Sequence, residues 1–166
     1  LTAKEAAKAT DEEGNEKDIR VVPLSNYLAS RIKREFKEGT TIAGGAFSLV
    51  NRISQDSVSR ELQPASAMSG GLDLLHHWDN RNYFFEAKTI ASRLNGSADA
   101  ILRKQLAHNH RFQRPDAGHL EVDSLKESLT GHGGLIKIGK KGGKFNFSVM
   151  GHYRSPGLNL NDMGYI

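Results

Sequence analysis

Apolar and polar residues alternate most regularly between residues 67 and 94. The alternation breaks at 79–82, where Asp79-Asn80-Arg81-Asn82 has the composition of a turn. Successive strand side chains point to opposite faces of a sheet, so a turn at this place pairs Trp78 with Tyr83. The pattern predicts a β-hairpin with an apolar face and an opposite face that carries every full charge of the paired strands.

Two other segments repeat the pattern. Residues 26–53 predict a hairpin that turns at 37–40, with Leu28 and Ile32 on its apolar side. Residues 131–154 predict a third hairpin that turns at 140–143 and pairs Ile138 with Phe145. The chain is therefore expected to be all-β, an antiparallel meander of about six strands.

The connections differ in length in a regular way. The three hairpin turns are tight, whereas the connections between hairpins, 54–66 and 95–130, are long. Transmembrane barrels have short periplasmic turns and long outer loops, and strands of about ten residues suffice to cross the membrane. The pattern indicates a segment of an outer-membrane-type β-barrel, with the apolar face toward lipid. In a soluble protein, the same face would pack against a second layer.

Composition sets the boundaries of this interpretation. Residues 1–20 are polar, charged and free of aromatic residues, which predicts a flexible connector, and 21–166 then form a partial barrel domain of a longer chain. The absence of cysteine excludes disulfides and thiolate metal sites. The net charge of +4 is spread along the chain, so no nucleic-acid partner is expected.

The long connection 95–130 is expected to be ordered. Ser97 is placed to cap a short helix over 98–107. Long connections that are not of low complexity tend to be functional. We expect this one to pack over or into the mouth of the barrel, with Gln113, Arg114 and Asp116 fixing its shape or contacting a ligand.

One constellation suggests catalysis. Asp73 is separated from Glu86-Ala87-Lys88 by one hairpin turn, and the three charged side chains share a face. This arrangement looks like the signature of PD-(D/E)xK nucleases, in which two carboxylates hold Mg²⁺ and the lysine assists the attacking water. The simpler interpretation is a cross-strand ion pair between Asp73 and Lys88.

The seven histidines do not form an evident metal motif. His76 and His77 are neighbours on one strand and point to opposite faces. Loop histidines are far more often surface residues than metal ligands, so neither a metal nor another cofactor is predicted. A zinc site in the long connection would need ligands drawn from His108, His110, His119, Asp116 and Asp123.

Four stretches, 26–52, 70–88, 95–134 and 151–166, resemble one family of large bacterial envelope proteins. The most specific strings are FQRPD at 112–116 and RSPG at 154–157, with Asn161-Asp162. In this family a C-terminal domain of unknown function, expected to be an outer-membrane-type β-barrel, follows a domain similar to family-nine carbohydrate-binding modules. The resemblance implies an outer-membrane location in a Gram-negative bacterium, lipid as a partner and glycan as a candidate partner. It carries over no catalytic residue.

The sequence thus favours a non-catalytic barrel segment with a role in transport, anchoring or surface binding. Glycan-related binding belongs to the same interpretation. The alternatives are a Mg²⁺-dependent nuclease that uses Asp73, Glu86 and Lys88, and a soluble β-sheet binding module.

Overall fold

A computed structural model describes residues 5–10, 16–53, 57–110, 112–115, 118 and 120–163. Its main feature is a six-stranded antiparallel sheet in which every strand pairs with its sequence neighbours. The elements are β1 (Glu5–Thr10), β2 (Glu16–Val22), β3 (Leu24–Phe36), β4 (Thr41–Ile53), α1 (Ser57–Leu62), β5 (Ser66–Trp78), β6 (Tyr83–Asn95), α2 (Ala98–Leu106), β7 (Ser128–Lys140), β8 (Phe147–Arg154) and a 3-10 turn, Asn161–Met163.

The predicted all-β meander is confirmed. The strand order is β3-β4-β5-β6-β7-β8, and the sheet is open, with β3 and β8 at its edges. Five of its strands have 13 residues each, which exceeds the length of about ten that a tilted strand needs to cross a membrane. None of the helices in the described part of the chain is long and apolar enough to cross a membrane.

The first two predicted turns lie where expected. Trp78 pairs with Tyr83, and Phe36 pairs with Thr41. Each turn contains three consecutive residues with positive φ, a backbone conformation that residues other than glycine adopt only at a cost in conformational energy. The two turns contact each other, because the Arg81 guanidinium donates to the carbonyl of Glu38 at 3.0 Å.

The predicted register of the third hairpin is wrong by four residues. Ile138 pairs with Val149 rather than with Phe145, and the connection has six residues, 141–146. The longer connection rests on the neighbouring turn, where the Lys141 amide donates to the carbonyl of Asn82 at 2.7 Å. Because four is an even number, every side chain that lies in β7 or β8 keeps its predicted face.

The two faces of the sheet differ sharply in composition. Along β3 to β8, all of whose residues are described, one face carries no acidic side chain, and its charged residues lie near strand ends. We call it the apolar face. Leu72 is 66% exposed and Ile136 is 58% exposed there, although both belong to interior strands. The opposite, polar face carries Arg31, Lys33, Arg52, Lys88, Lys137, Arg154, Glu35, Asp73 and Glu86.

The buried core lies on the polar face, at the end of the sheet where the long connections emerge. Ala67, Leu94 and Leu129 lie side by side on neighbouring strands, and Ile101 of α2 and Phe112 pack against them. We call α1, α2 and the described residues of 107–127 the cap. Helix α2 matches the predicted helix, and Ser97 caps it by accepting from the Ala100 amide. Helix α1 was not predicted.

Residues 155–163 fold back over the same face and are called the docked segment. Leu158 is buried, and the Asn159 amide donates to Ser92 Oγ at 2.9 Å. A methyl group on Gly131 would overlap the backbone of Gly157 and Leu158, so a glycine is required at that position. The docked segment therefore joins β6 and β7 to the cap.

The predicted connector, 1–20, overlaps a separate two-stranded sheet. Strands β1 and β2 pair antiparallel, with an ion pair of 2.6 Å between Lys8 and Glu16. That the segment serves as a flexible connector stays a prediction.

Candidate functional site

The three residues of the nuclease hypothesis lie near the middle of the polar face. Asp73 on β5 is directly opposite Lys88 on β6, and Glu86 lies two residues from Lys88 on the same side. The two carboxylates are thus diagonal neighbours on adjacent strands, as the sequence predicts.

The expected ion pair between Asp73 and Lys88 is replaced by two others. Gly44 has no side chain, and the Asp73 carboxylate leans over it, close to where a Cβ would lie. From there Asp73 accepts from the Arg31 guanidinium at 3.4 Å, while Lys88 donates to Glu86 at 2.6 Å. Each carboxylate is therefore held by its own cation.

The ion pair with Lys88 favours the charged form of Glu86. The hydrogen bond from Lys88 lowers the pKa of Glu86, and the charges of Lys88, Lys137 and Lys141 act in the same direction, against the opposing effect of burial. A metal ion would have to displace Lys88 from Glu86 and Arg31 from Asp73. Among the described residues, no group of three or more His, Asp or Glu side chains is placed to hold a metal ion.

The structure places two of the three residues that were predicted to shape the long connection or bind a ligand there. The Gln113 side chain donates to the carbonyl of Leu106 at 3.2 Å, which holds the chain at the end of α2. Arg114 is exposed and has a partner of its own. Asp116 lies outside the described residues, as does His119. That these residues fix the shape of the loop or contact a ligand stays a prediction.

Two buried polar residues of the cap were missed in the sequence. Gln105 is fully buried in α2, where its amide donates to the carbonyl of Asp123 at 2.8 Å and accepts from the Asp123 amide at 2.9 Å. It thereby completes a two-way pairing with the backbone of Asp123. A helical glutamine carries no sequence signal of burial, since this residue type is mostly exposed.

His110 is the second. Its Nδ1 lies 2.6 Å from the carbonyl of Pro156, and its Nε2 lies 3.0 Å from Nδ2 of Asn159. The Asn159 Oδ1 already accepts from the amides of Asn161 and Asp162, so its Nδ2 must donate. His110 is therefore neutral, with its proton on Nδ1. Burial is the main cause that lowers the pKa of His110.

A band of aromatic residues marks the short-turn end of the apolar face. The rings of Trp78 and Tyr83 stack with centroids 5.6 Å apart, and His76 stacks on Trp78 at 6.0 Å. The guanidinium of Arg34 lies 4.9 Å from the centroid of Phe36. Girdles of aromatic residues lie at both interfaces between lipid and water in outer-membrane barrels. The band consists of Phe36, Trp78, Tyr83, Phe85 and Phe147.

Comparison with known proteins adds one partial similarity. An ATP-dependent helicase/nuclease subunit of Staphylococcus epidermidis is 25% identical over 130 residues, which cover 78% of this chain and 10% of that protein. The protein of the same name from Staphylococcus carnosus is 27% identical over 97 residues, which cover 58% of this chain and 8% of that protein. The chain thus spans a tenth or less of the relatives' length. No family model matches, and no solved structure matches significantly.

Proposed function

We propose that the six-stranded sheet is a segment of an outer-membrane β-barrel, with its apolar face toward lipid and its polar face toward the aqueous interior. The observation that carries the proposal is the exposed apolar face, which runs across all six strands without an acidic residue. Monomeric soluble proteins rarely leave so extended an apolar surface uncovered. Lipid is its occupant in this proposal.

Three further features support lipid rather than a second protein layer. The aromatic band follows one end of the apolar face, as interfacial girdles do in barrels. The cap and the docked segment lie on the other face, so in the described part of the chain the buried core does not cover the apolar one. Tight turns alternate with long connections at opposite ends of the sheet.

The position of the cap indicates which roles this barrel segment suits. It covers the interior face at the long-connection end, where an outer-membrane barrel meets the outside. A segment built in this way narrows the barrel mouth and presents a folded outer surface. Transport, anchoring or surface binding, including binding of glycans, are the roles that this geometry suits, and catalysis is not required.

A cysteine scan of β5 tests the orientation. These 166 residues contain no cysteine, so once any cysteine elsewhere in the full-length protein is replaced by serine, single substitutions at Leu72, Asp73, Leu74 and Leu75 report on single positions. In the full-length protein inserted into vesicles, we expect positions 73 and 75 to react with a water-soluble maleimide. Positions 72 and 74 should react only with a lipid-dissolved reagent. Leu125→Cys in the cap, where Leu125 is 84% exposed, is the control for water access.

The outcomes separate the membrane proposal from its soluble alternative. If the full-length protein does not insert and positions 72 and 74 are protected in plain buffer, the apolar face packs on protein. If all four positions react with the maleimide in vesicles, the assignment of faces is refuted. In urea all four should react at similar rates, which checks that the reagent itself does not discriminate.

The nuclease remains the second candidate, because the two partial relatives are named as helicase/nuclease proteins and because Asp73, Glu86 and Lys88 share one face. We expect no Mg²⁺-dependent cleavage of DNA or RNA by the purified full-length protein, since both carboxylates already have cationic partners. Cleavage that disappears in both Asp73→Ala and Lys88→Ala would reverse this choice.

A further inference from the structure

A groove of about 560 Å³ runs along the polar face beside the docked segment. Its floor is a row of neighbouring positions on adjacent strands, Ala46, Gly71, Ile90 and Gly133. Small residues at three of these four positions leave the space open. Five steps between strands of about 4.8 Å make the row roughly 24 Å long, from Arg31 on β3 to Arg154 on β8.

The walls of the groove differ in character. One wall is apolar and consists of Leu158 and Leu160 from the docked segment, with Leu135 beside the floor. The other wall carries Asp73 and Lys88, each of which faces a neighbouring charge. The lining is thus mainly apolar with charged groups at its rim, which is the usual composition of a site for a small ligand.

Arg154 differs from the other charges of the groove. Among the described residues it forms no ion pair with a carboxylate. Its guanidinium donates from Nη2 to the carbonyl of Leu158 at 2.8 Å. A guanidinium has five N–H donors, so donors remain for a second acceptor. The charge of Arg31, by contrast, is already paired with the carboxylate of Asp73.

We propose that this groove binds an anionic amphiphile of the long-chain carboxylate type. The carboxylate is held by the guanidinium of Arg154, in a charge-assisted pair. The acyl chain lies along Ile90 and against Leu158 and Leu160, toward the β3 edge. The inference rests on the proposed function in one respect, since a barrel interior would expose the polar face to such a solute.

Photolabelling tests the proposal on the full-length protein in detergent micelles. The probe is palmitate that carries a diazirine on its chain, and mass spectrometry locates the labelled peptides. We expect label within 88–93 and 155–163, and we expect unlabelled palmitate to compete for these sites. Palmityl alcohol, which lacks the charge, should compete at least about tenfold less well. Arg154→Gln should reduce labelling of these peptides by about tenfold or more. Arg93→Gln, on the apolar face, is the matched control and should leave it unchanged.

Other outcomes decide against the proposal. If the alcohol competes as well as palmitate, or if Arg154→Gln labels like the unmodified protein, no carboxylate site exists at Arg154. Label confined to Leu72, Leu74 and their neighbours would show the probe on the apolar face alone. Leu160→Gln provides a second variant, since Leu160 is 40% exposed and its replacement should weaken labelling without unfolding the sheet. Insertion of the full-length protein into vesicles is measured separately, so that failure of the barrel proposal can be told apart from failure of the carboxylate site.

Discussion

Gly131 offers a direct test of the docked segment. A methyl group at this position would overlap backbone atoms of Gly157 and Leu158, which cannot rotate away as a side chain can. We therefore expect Gly131→Ala to release residues 155–163 from the sheet. Gly157→Ala should do the same, because its methyl group would meet the carbonyl of Thr130.

The contacts of the docked segment set the size of the effect. Re-exposing Leu158, which is 4% exposed, costs about 1.5–3 kcal/mol. The bonds of Asn159 to Ser92 and to His110 contribute about 0.5–1.5 kcal/mol each. Loss of these three contacts alone therefore costs about 4 kcal/mol. The loss should stay near this value, because releasing the segment is cheaper than distorting β7.

Hydrogen exchange and urea unfolding of the full-length protein provide the measurement. In the unmodified protein the amides of Leu158, Asn159, Asn161 and Asp162 donate to protein acceptors and should exchange slowly. They should exchange quickly in Gly131→Ala. Gly151→Ala is the matched control, because a methyl group there would meet nothing within 4 Å. Slow exchange in Gly131→Ala, or an equal loss of stability in Gly151→Ala, would refute the reasoning.

Three further predictions concern lipid, protons and the cap. Leu74→Arg in the inserted protein should cost about 2–4 kcal/mol near the bilayer midplane, and Leu75→Arg clearly less; equal costs in urea titrations would contradict the assignment of faces. The pKa of His110 is lowered on folding, so the unfolded chain binds more protons than the folded one as the pH falls. The free energy of unfolding should therefore keep its full His110 contribution above about pH 6.5 and decrease as the pH drops below that value. His110→Gln should reduce that dependence, and an unchanged profile between about pH 5 and 7.5 would count against it. Trypsin should cut slowly at Arg103 and Lys104 of α2, and rapid cutting there with the strands intact would show a mobile cap.

Alternation of side chains was enough to predict the three hairpins and both faces, because burial on one side of a strand leaves a period of two in the sequence. It could not choose between registers that differ by an even number of residues. Pairing Ile138 with Phe145 or with Val149 serves the apolar face equally well. The contact from Lys141 to Asn82, which accompanies the longer connection, joins turns that lie far apart in sequence and leaves no signal in the alternation.

The candidate site was predicted only in part, for a related reason. The shared face of Asp73, Glu86 and Lys88 follows from strand geometry, whereas their partners depend on the space above Gly44 and on the reach of Arg31. The burial of Gln105 and His110 arises from tertiary packing of the cap. Helix α1, with six residues, is too short to leave a helical period in the sequence.

The contact between the last hairpin and Asn82 also bears on the order in which the sheet forms. Strands β7 and β8 can pair in either register with the same sides outward, so the pair by itself is free to slip by four residues. The carbonyl of Asn82 becomes a fixed point only after β5 and β6 have closed their turn. We therefore expect β5–β6 to pair before the final register of β7–β8 is reached, and pulsed exchange during refolding would reveal the order. The β5–β6 hairpin would then set the register of the β7–β8 hairpin.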